Sequence, residues 1–271
     1  GPPENDRYHK RTYQVSSGGG KQEVLYGVHP VFEALKAGRR RFEKILAVSG
    51  AKRARVEKVA QLARQRHIEV EYADQKILDR LTKGARHQGV AAKVSPFPLK
   101  GVSTVLQNME KTPTPCFMLI LDTIEDPHNF GALIRTALCA GVDEIFIPKD
   151  RAVSATPSVS VSSAGAMEHS DICLVTNTAS LIRSLKEKGV WVAGLDAQGP
   201  ARLYDADLTG DLAIVVGGEH KGIRPLVRRT CDYLLYIPAT GRVNSLNASV
   251  AGGIAVYEAH RQRTIQHTGE S

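Results

Sequence analysis

Leu212-Ala213-Ile214-Val215-Val216 is apolar at every position. A strand with one wet face alternates apolar and polar residues. A run without alternation has both faces buried, as in a parallel sheet covered by helices on each side. Phe117–Leu121, Glu144–Ile147, Ile172–Val175, Val190–Gly194 and Leu234–Ile237 read as further strands, with helical stretches between them. This alternation predicts a doubly wound α/β domain over 116–265, closed by a helix from about Asn247 to Arg261.

The front of the chain reads as a smaller α/β unit over residues 23–95. Val31 and Leu35 mark a first helix that ends near Gly38. Lys44–Val48, Ile68–Tyr72 and Val90–Val94 are strands. Val56, Val59, Ala60 and Ala63 have the i, i+3, i+4, i+7 spacing of one helix face. Asp74 is placed to cap a helix running to Leu81. Pro96, Pro98, Pro113 and Pro115 predict a linker over 96–115. Residues 1–22 are polar and end near Gly18-Gly19-Gly20, which predicts a flexible tail. Residues 266–271 form a second tail.

Charge separates the two parts. Residues 1–100 carry 21 Lys and Arg against 10 Asp and Glu, and the rest carry 15 against 18, for a total of +8. The basic excess lies wholly in the front, where a polyanion such as RNA would bind. Arg39, Arg40, Arg41, Lys52, Arg53 and Arg55 are candidate phosphate contacts, each with ordinary solvated surface as its alternative. No apolar run approaches the ~18 residues of a membrane span, and no secretory leader is visible, so the expected location is the cytoplasm. Cys116, Cys139, Cys173 and Cys231 form no Cys-x-x-Cys pair and stand beside no His pair. Buried free thiols are expected, with no metal and no disulfide framework.

Three segments that follow predicted strands carry the chemistry, because open α/β sheets bind ligands at the carboxyl ends of their strands. In Leu121-Asp122-Thr123-Ile124-Glu125-Asp126-Pro127-His128-Asn129-Phe130-Gly131, Asn129 is placed to cap the next helix. Arg135 stands two residues past Leu133, about 200° round that helix, and leaves its core face. In Val216-Gly217-Gly218-Glu219-His220-Lys221-Gly222, paired glycines allow close backbone approach to a ligand, and Glu219 could orient a hydroxyl or cation. This is neither a dinucleotide fingerprint nor a Walker loop. In Ile237-Pro238-Ala239-Thr240-Gly241-Arg242-Val243-Asn244-Ser245-Leu246-Asn247, amides and hydroxyls precede a helix rich in small residues. That helix is expected to lie tightly against something, such as a second subunit.

In this order, the three segments resemble the signature motifs of SpoU-type RNA ribose 2′-O-methyltransferases of the SPOUT superfamily. Tyr26-Gly27-Val28-His29-Pro30-Val31, Glu33-Ala34-Leu35 and Gly84-Ala85-Arg86-His87-Gln88-Gly89 resemble that family's substrate-binding domain. The resemblance implies an L30e-like RNA-binding domain before a parallel-sheet domain with a deep trefoil knot, and a homodimer formed through the knot. It implies S-adenosylmethionine as cofactor, contacted by Gly217, Ile237 and Leu246, and a catalytic surface of Asn129, Arg135, Glu219, Ser245 and Asn247. Arg86 and His87 would sit near the target. The implied substrate is a ribose, a guanosine by the nearest resemblance, in 23S ribosomal RNA. A transfer-RNA methyltransferase and a non-catalytic RNA-binding or ribosome-assembly factor remain alternatives. Arg135 would orient the hydroxyl and stabilise developing charge, with a role as base left open.

Overall fold

A computed structural model describes residues 22–49, 54–111, 115–150, 154–219, 221–241 and 245–268, with side chains to residue 265. The segment 1–21, Lys52, Arg53, His220, residues 242–244 and the last three residues lie outside the described residues.

The front unit is a four-stranded sheet. Its strands are β1 (Glu23–Tyr26), β2 (Phe42–Val48), β3 (Val70–Ala73) and β4 (Val90–Val94), in the order β1-β4-β2-β3. β4 runs antiparallel to both β1 and β2, and β3 is parallel to β2. Helices α1 (Val28–Ala37), α2 (Ala54–Gln65) and α3 (Gln75–Leu81) accompany it. α2 buries Val56, Val59, Ala60 and Ala63, the stripe expected from their spacing. α1 ends at Gly38, whose φ of 64° is the left-handed stop that glycine supplies cheaply. Asp74 does occupy the N-cap position of α3, but its side chain makes no capping bond.

The segment 96–115, expected as a linker, contributes structure instead. β5 (Lys100–Gly101) pairs with the rear sheet, and α4 (Val102–Met109) buries Val105 on it. Prolines bracket these elements without entering them, so their density in the sequence hides the elements between.

The rear unit continues with β6 (Phe117–Asp122), α5 (Pro127–Cys139), β7 (Glu144–Pro148), α6 (Pro157–Ser162), β8 (Ile172–Val175), α7 (Thr178–Glu187), β9 (Trp191–Leu195), β10 (Ala201–Arg202), β11 (Leu212–Gly217), α8 (Pro225–Thr230), β12 (Tyr233–Tyr236) and α9 (Ala248–Thr268). A 3-10 turn, Ala166–His169, follows α6. With β5, these strands form a sheet ordered β10-β12-β9-β11-β6-β7-β8-β5, and every pairing in it is parallel. Alternate residues of each strand serve opposite faces. Leu119, Leu121, Ile145, Ile214 and Val216 pack on one side with Leu133 of α5 and Val256 of α9. Met118, Ile120, Phe146, Ala213 and Val215 pack on the other with Leu181 of α7 and Val227 of α8. That two-sided burial is why the runs lack alternation.

The small residues of α9 serve the chain's own packing. A Cβ on Gly252 would lie 2.4 Å from Leu133 Cδ2, so α9 lies close over α5 and β11. The tight neighbour inferred from composition is therefore at least partly intramolecular.

Arg39 and Arg40, read from sequence as phosphate contacts, are turned inward here and tie the front unit to the rear. Arg40 Nε and Nη2 donate to the two oxygens of Glu168 at 2.7 and 3.0 Å, and Nη1 donates to Glu23 at 2.7 Å and to the Ser95 carbonyl at 3.0 Å. Both side chains of the Arg40–Glu168 pair are essentially buried, at 0% and 1% exposure. Burial pulls the Arg40 pKa down, but the bonds and charges of Glu168 and Glu23 outweigh it and leave it raised. Arg39 donates to Asp171 at 2.7 Å and to the Ser170 carbonyl at 2.6 Å. A guanidinium so enclosed cannot reach a phosphate without vacating carboxylates that would then stand desolvated.

Candidate active site

The site begins at the start of α5. Asp126 accepts hydrogen bonds from the backbone amides of His128 (3.3 Å) and Asn129 (3.1 Å), with Pro127 opening the helix. Asp126 is therefore the cap, not Asn129 as the sequence suggested. A carboxylate just before a helix-opening proline satisfies the first amides, and the Asn129 carboxamide is left for other partners.

Those partners come from two distant segments. Asn129 Nδ2 donates to Glu219 Oε1 at 3.2 Å, and Asn247 Nδ2 donates to Asn129 Oδ1 at 3.0 Å and also to Glu219 Oε1. Asn247 Oδ1 accepts from the amides of Ser249 (2.9 Å) and Val250 (3.2 Å), so Asn247 also caps α9. This cap orients the carboxamides: Asn247 must point its oxygen at the helix and its nitrogen at the ring, and Asn129 must then accept through its oxygen. Three residues from α5, the turn after β11 and the start of α9 thus form one closed set. Glu219 Oε1 takes both amides, while Oε2 has no partner among the described residues.

The set borders a cleft of about 410 Å³ lined by Thr123, Asp126, Asn129, Gly218, Glu219 and Lys221, among others. Its position follows from topology. Gly217 and Asp122 are register partners at the ends of β11 and β6, and the chain order reverses between these two strands. Loops leaving there diverge to opposite faces and open a crevice.

The remaining expected residues sit elsewhere. Gly217 closes β11, and a Cβ there would lie 2.2 Å from the Gly222 carbonyl carbon, so only glycine lets the turn fold back. Ile237 follows β12 and is half-buried, and Leu246 precedes α9 at 44% exposure. β12 and β11 flank β9, so the first two residues leave the sheet about 10 Å apart, two strand spacings. Arg135 lies six residues beyond Asn129, about 9 Å along the axis. It is exposed, with no bond to another described residue. Ser245 is likewise exposed and unbonded to them. Arg41, Arg55 and Arg86 are exposed, as expected for RNA contacts. His87 is not: it is 5% exposed, bonds Asp79 at 2.8 Å through Nε2 and accepts from the Gly89 amide at 3.0 Å. It braces its own loop.

Sequence reading passed over Asp122, Thr123 and Arg224. The signal was present, since Asp122 is the one charge at the end of an otherwise apolar strand, and it is fully buried. Among the cysteines, burial pushes the thiols of Cys116, Cys173 and Cys231 up to about 12, with Asp211, Glu144 and Asp232 adding to it. Cys139 is exposed. Because the thiolate is the nucleophile, iodoacetamide at about pH 8 is expected to label only Cys139 in the native protein. Peptide mass spectrometry checks this, and native labelling of Cys173 would contradict its burial.

The rear unit is thus an all-parallel α/β sheet with a polar ring at its switch point, preceded by a smaller mixed-sheet unit. The structure of the SpoU methyltransferase AviRb from Streptomyces viridochromogenes, in complex with AdoMet, aligns with a TM-score of 0.75 at 22% identity over 90% of this chain and 91% of that one. The chain belongs to the SpoU rRNA Methylase family, whose model matches residues 116–257. Residues 24–99 match the RNA 2′-O ribose methyltransferase substrate binding family. The 23S rRNA (guanosine-2′-O-)-methyltransferase RlmB of Pseudomonas putida is 38% identical over 244 residues, 90% of this chain and 98% of that protein. Its counterpart in Shewanella oneidensis is 40% identical over 243 residues, with the same coverage.

Proposed function

We propose that this protein transfers a methyl group from S-adenosylmethionine to a ribose 2′-hydroxyl, that of a guanosine in 23S ribosomal RNA, and does so in the cytoplasm. The observation that carries the reading is the closed Asn129–Glu219–Asn247 set at the sheet's switch point, in a chain aligned along 90% of its length with RlmB proteins.

The cofactor supplies a methyl already activated on a sulfonium. The chain's residues fit it: the turn that only Gly217 permits after β11, the segment at Ile237 after β12 and Leu246 before α9 offer backbone groups on the carboxyl-end side of the sheet. What remains for the protein is alignment and charge. The second oxygen of Glu219 accepts a hydrogen bond from the ribose hydroxyl and is placed to take its proton as the oxygen–methyl bond forms. Asn129 and Asn247 hold that carboxylate in place. Arg135, through its planar guanidinium cation, orients the target and stabilises negative charge on the oxygen. Ser245, exposed two residues before Asn247, adds a hydroxyl when the substrate is bound. Arg41, Arg55 and Arg86, with Lys52 and Arg53, contact phosphates.

A homodimer completes this reading. Val250 and Tyr257, seven residues apart on α9, are 48% and 47% exposed, and Leu246 is 44% exposed. A Cβ on Gly253 would sit 3.7 Å from Thr136, so this face adjoins the Arg135 turn of α5. A second copy covering it would shield Arg135 from water.

The test is transfer of labelled methyl to undermodified 23S ribosomal RNA, to transfer RNA and to a no-RNA control, with alkali-resistant linkages mapped. Label at a ribose of the large ribosomal RNA is expected. Label only in transfer RNA would move the substrate, and absence of both transfer and cofactor binding would overturn the enzyme.

A further inference from the structure

We propose that Asp122 and Arg224 form a positioning clamp that sets the height of Glu219 in the site, an inference that rests on the methyl-transfer reading above. Asp122 is the last residue of β6 and is fully buried. Its Oδ1 accepts from Arg224 Nε at 2.8 Å and from Nη2, and its Oδ2 accepts from the Arg224 backbone amide at 2.9 Å. Arg224 Nη2 also donates to Thr178 Oγ1 at 2.9 Å, at the start of α7. One carboxylate therefore grips both the side chain and the main chain of the same residue, and that residue ends the turn carrying Glu219.

The other end of the turn is held from the same place. Thr123, the next residue after Asp122, accepts from the Gly218 amide at 3.1 Å through a hydroxyl whose one proton is shared between the Asp122 carbonyl at 2.6 Å and the Gly222 carbonyl at 3.0 Å. Thr123 takes a φ of 61° to do so, a left-handed conformation that is unfavourable for a β-branched residue. The Gly222 amide returns to the Gly218 carbonyl at 2.9 Å, closing the turn on itself. Glu219 thus hangs between two anchors, Gly218 on Thr123 and Arg224 on Asp122. Neither Asp122 nor Arg224 belongs to the hydrogen-bonded ring. A buried carboxylate needs full pairing, so the clamp has one low-energy arrangement. That rigidity is what a carboxylate aimed at a hydroxyl needs, because small misplacements of reacting groups are costly in rate.

Arg224 keeps 35% of its side chain exposed. A small guanidinium can therefore enter from solvent when the side chain is removed. Arg224→Ala is expected to lower kcat at least about tenfold with the RNA KM within about twofold, and methylguanidinium is expected to restore part of the loss without raising wild-type activity. Asp122→Asn gives a second readout that needs no turnover: hydrogen exchange at residues 218–224 should quicken about tenfold while the core strands stay protected. Unchanged exchange, or unchanged kcat in a protein whose wild type transfers methyl, overturns the clamp alone. A fall in kcat that methylguanidinium cannot rescue leaves Arg224 with a purely structural part and also overturns it. A wild type that transfers no methyl to any RNA removes the reading beneath, and the clamp's catalytic role goes with it.

Discussion

Arg135→Ala is expected to lower the methyl-transfer kcat by about 10²–10³-fold while S-adenosylmethionine affinity changes by less than about twofold. The separation follows from where the residues stand. The segments expected to contact cofactor leave β11 and β12, while Arg135 lies on α5, across the β11–β6 switch point. It bonds no described residue, so its removal orphans no partner, and alanine is the best helix former for an exposed position. Folding should therefore be spared, and the loss should fall on the step in which charge develops. Arg135→Lys keeps the charge but not the planar fork, and its kcat should lie between the two. Single-turnover transfer and calorimetric cofactor titration read the two quantities separately. Equal loss of both would reject this division of labour, and an unchanged kcat would remove Arg135 from the reaction.

Much of the rear sheet was legible because burial on both faces writes itself into composition. Leu212–Val216, Phe117–Leu121 and Ile172–Val175 stand where they were read, within a residue at each end. β5 and β10, with two residues each, carry too little pattern to be seen, and β1, Glu23-Val24-Leu25-Tyr26, has only a two-residue apolar core between polar ends. Their pairing is settled by neighbours far along the chain. At the site, Glu219 could be picked out as a carboxylate in the turn after a strand, whereas Asn129 and Asn247 were reached as catalytic residues only through the family resemblance. Their closure into one ring depends on contacts across 118 and 28 positions, which no spacing rule reaches. Asn129 was misread as a cap because Asp126, three residues earlier, competes for the same amides and wins through its charge and the adjacent proline. Basic clusters were the least decipherable. Charge in a sequence shows how many cations there are and not which carboxylates face them, so Arg41 and Arg40 look alike there and are opposite in the fold.

Arg40→Met therefore tests the fold rather than RNA affinity, and it is expected to destabilise the protein by about 3–5 kcal/mol. Methionine follows the alkyl stem of arginine but lacks the guanidinium, whose carbon lies 5.4 Å from the centroid of the Phe97 ring, so that cation–π contact goes with it. What is lost is the cation facing Glu168. That carboxylate is 1% exposed and, among the described residues, would keep only the Ser160 hydroxyl, 2.8 Å away. Water cannot reach it, so the charge must be neutralised or the interface between the two units must open. At about 2–4 °C per kcal/mol for a chain of this size, the unfolding midpoint should fall on the order of 10 °C. Adding Glu168→Gln should recover part of this, because an amide can stay buried beside Ser160 at less cost than an unpaired charge. The resulting cycle measures the coupling directly. If Arg40 instead gripped phosphate, its loss would leave the midpoint in place and reduce the salt dependence of RNA binding by about one counterion. Arg41→Ala and Arg86→Ala, at exposed positions, are expected to show that second pattern. Finding it for Arg40 as well would mean that the buried pair opens when RNA binds.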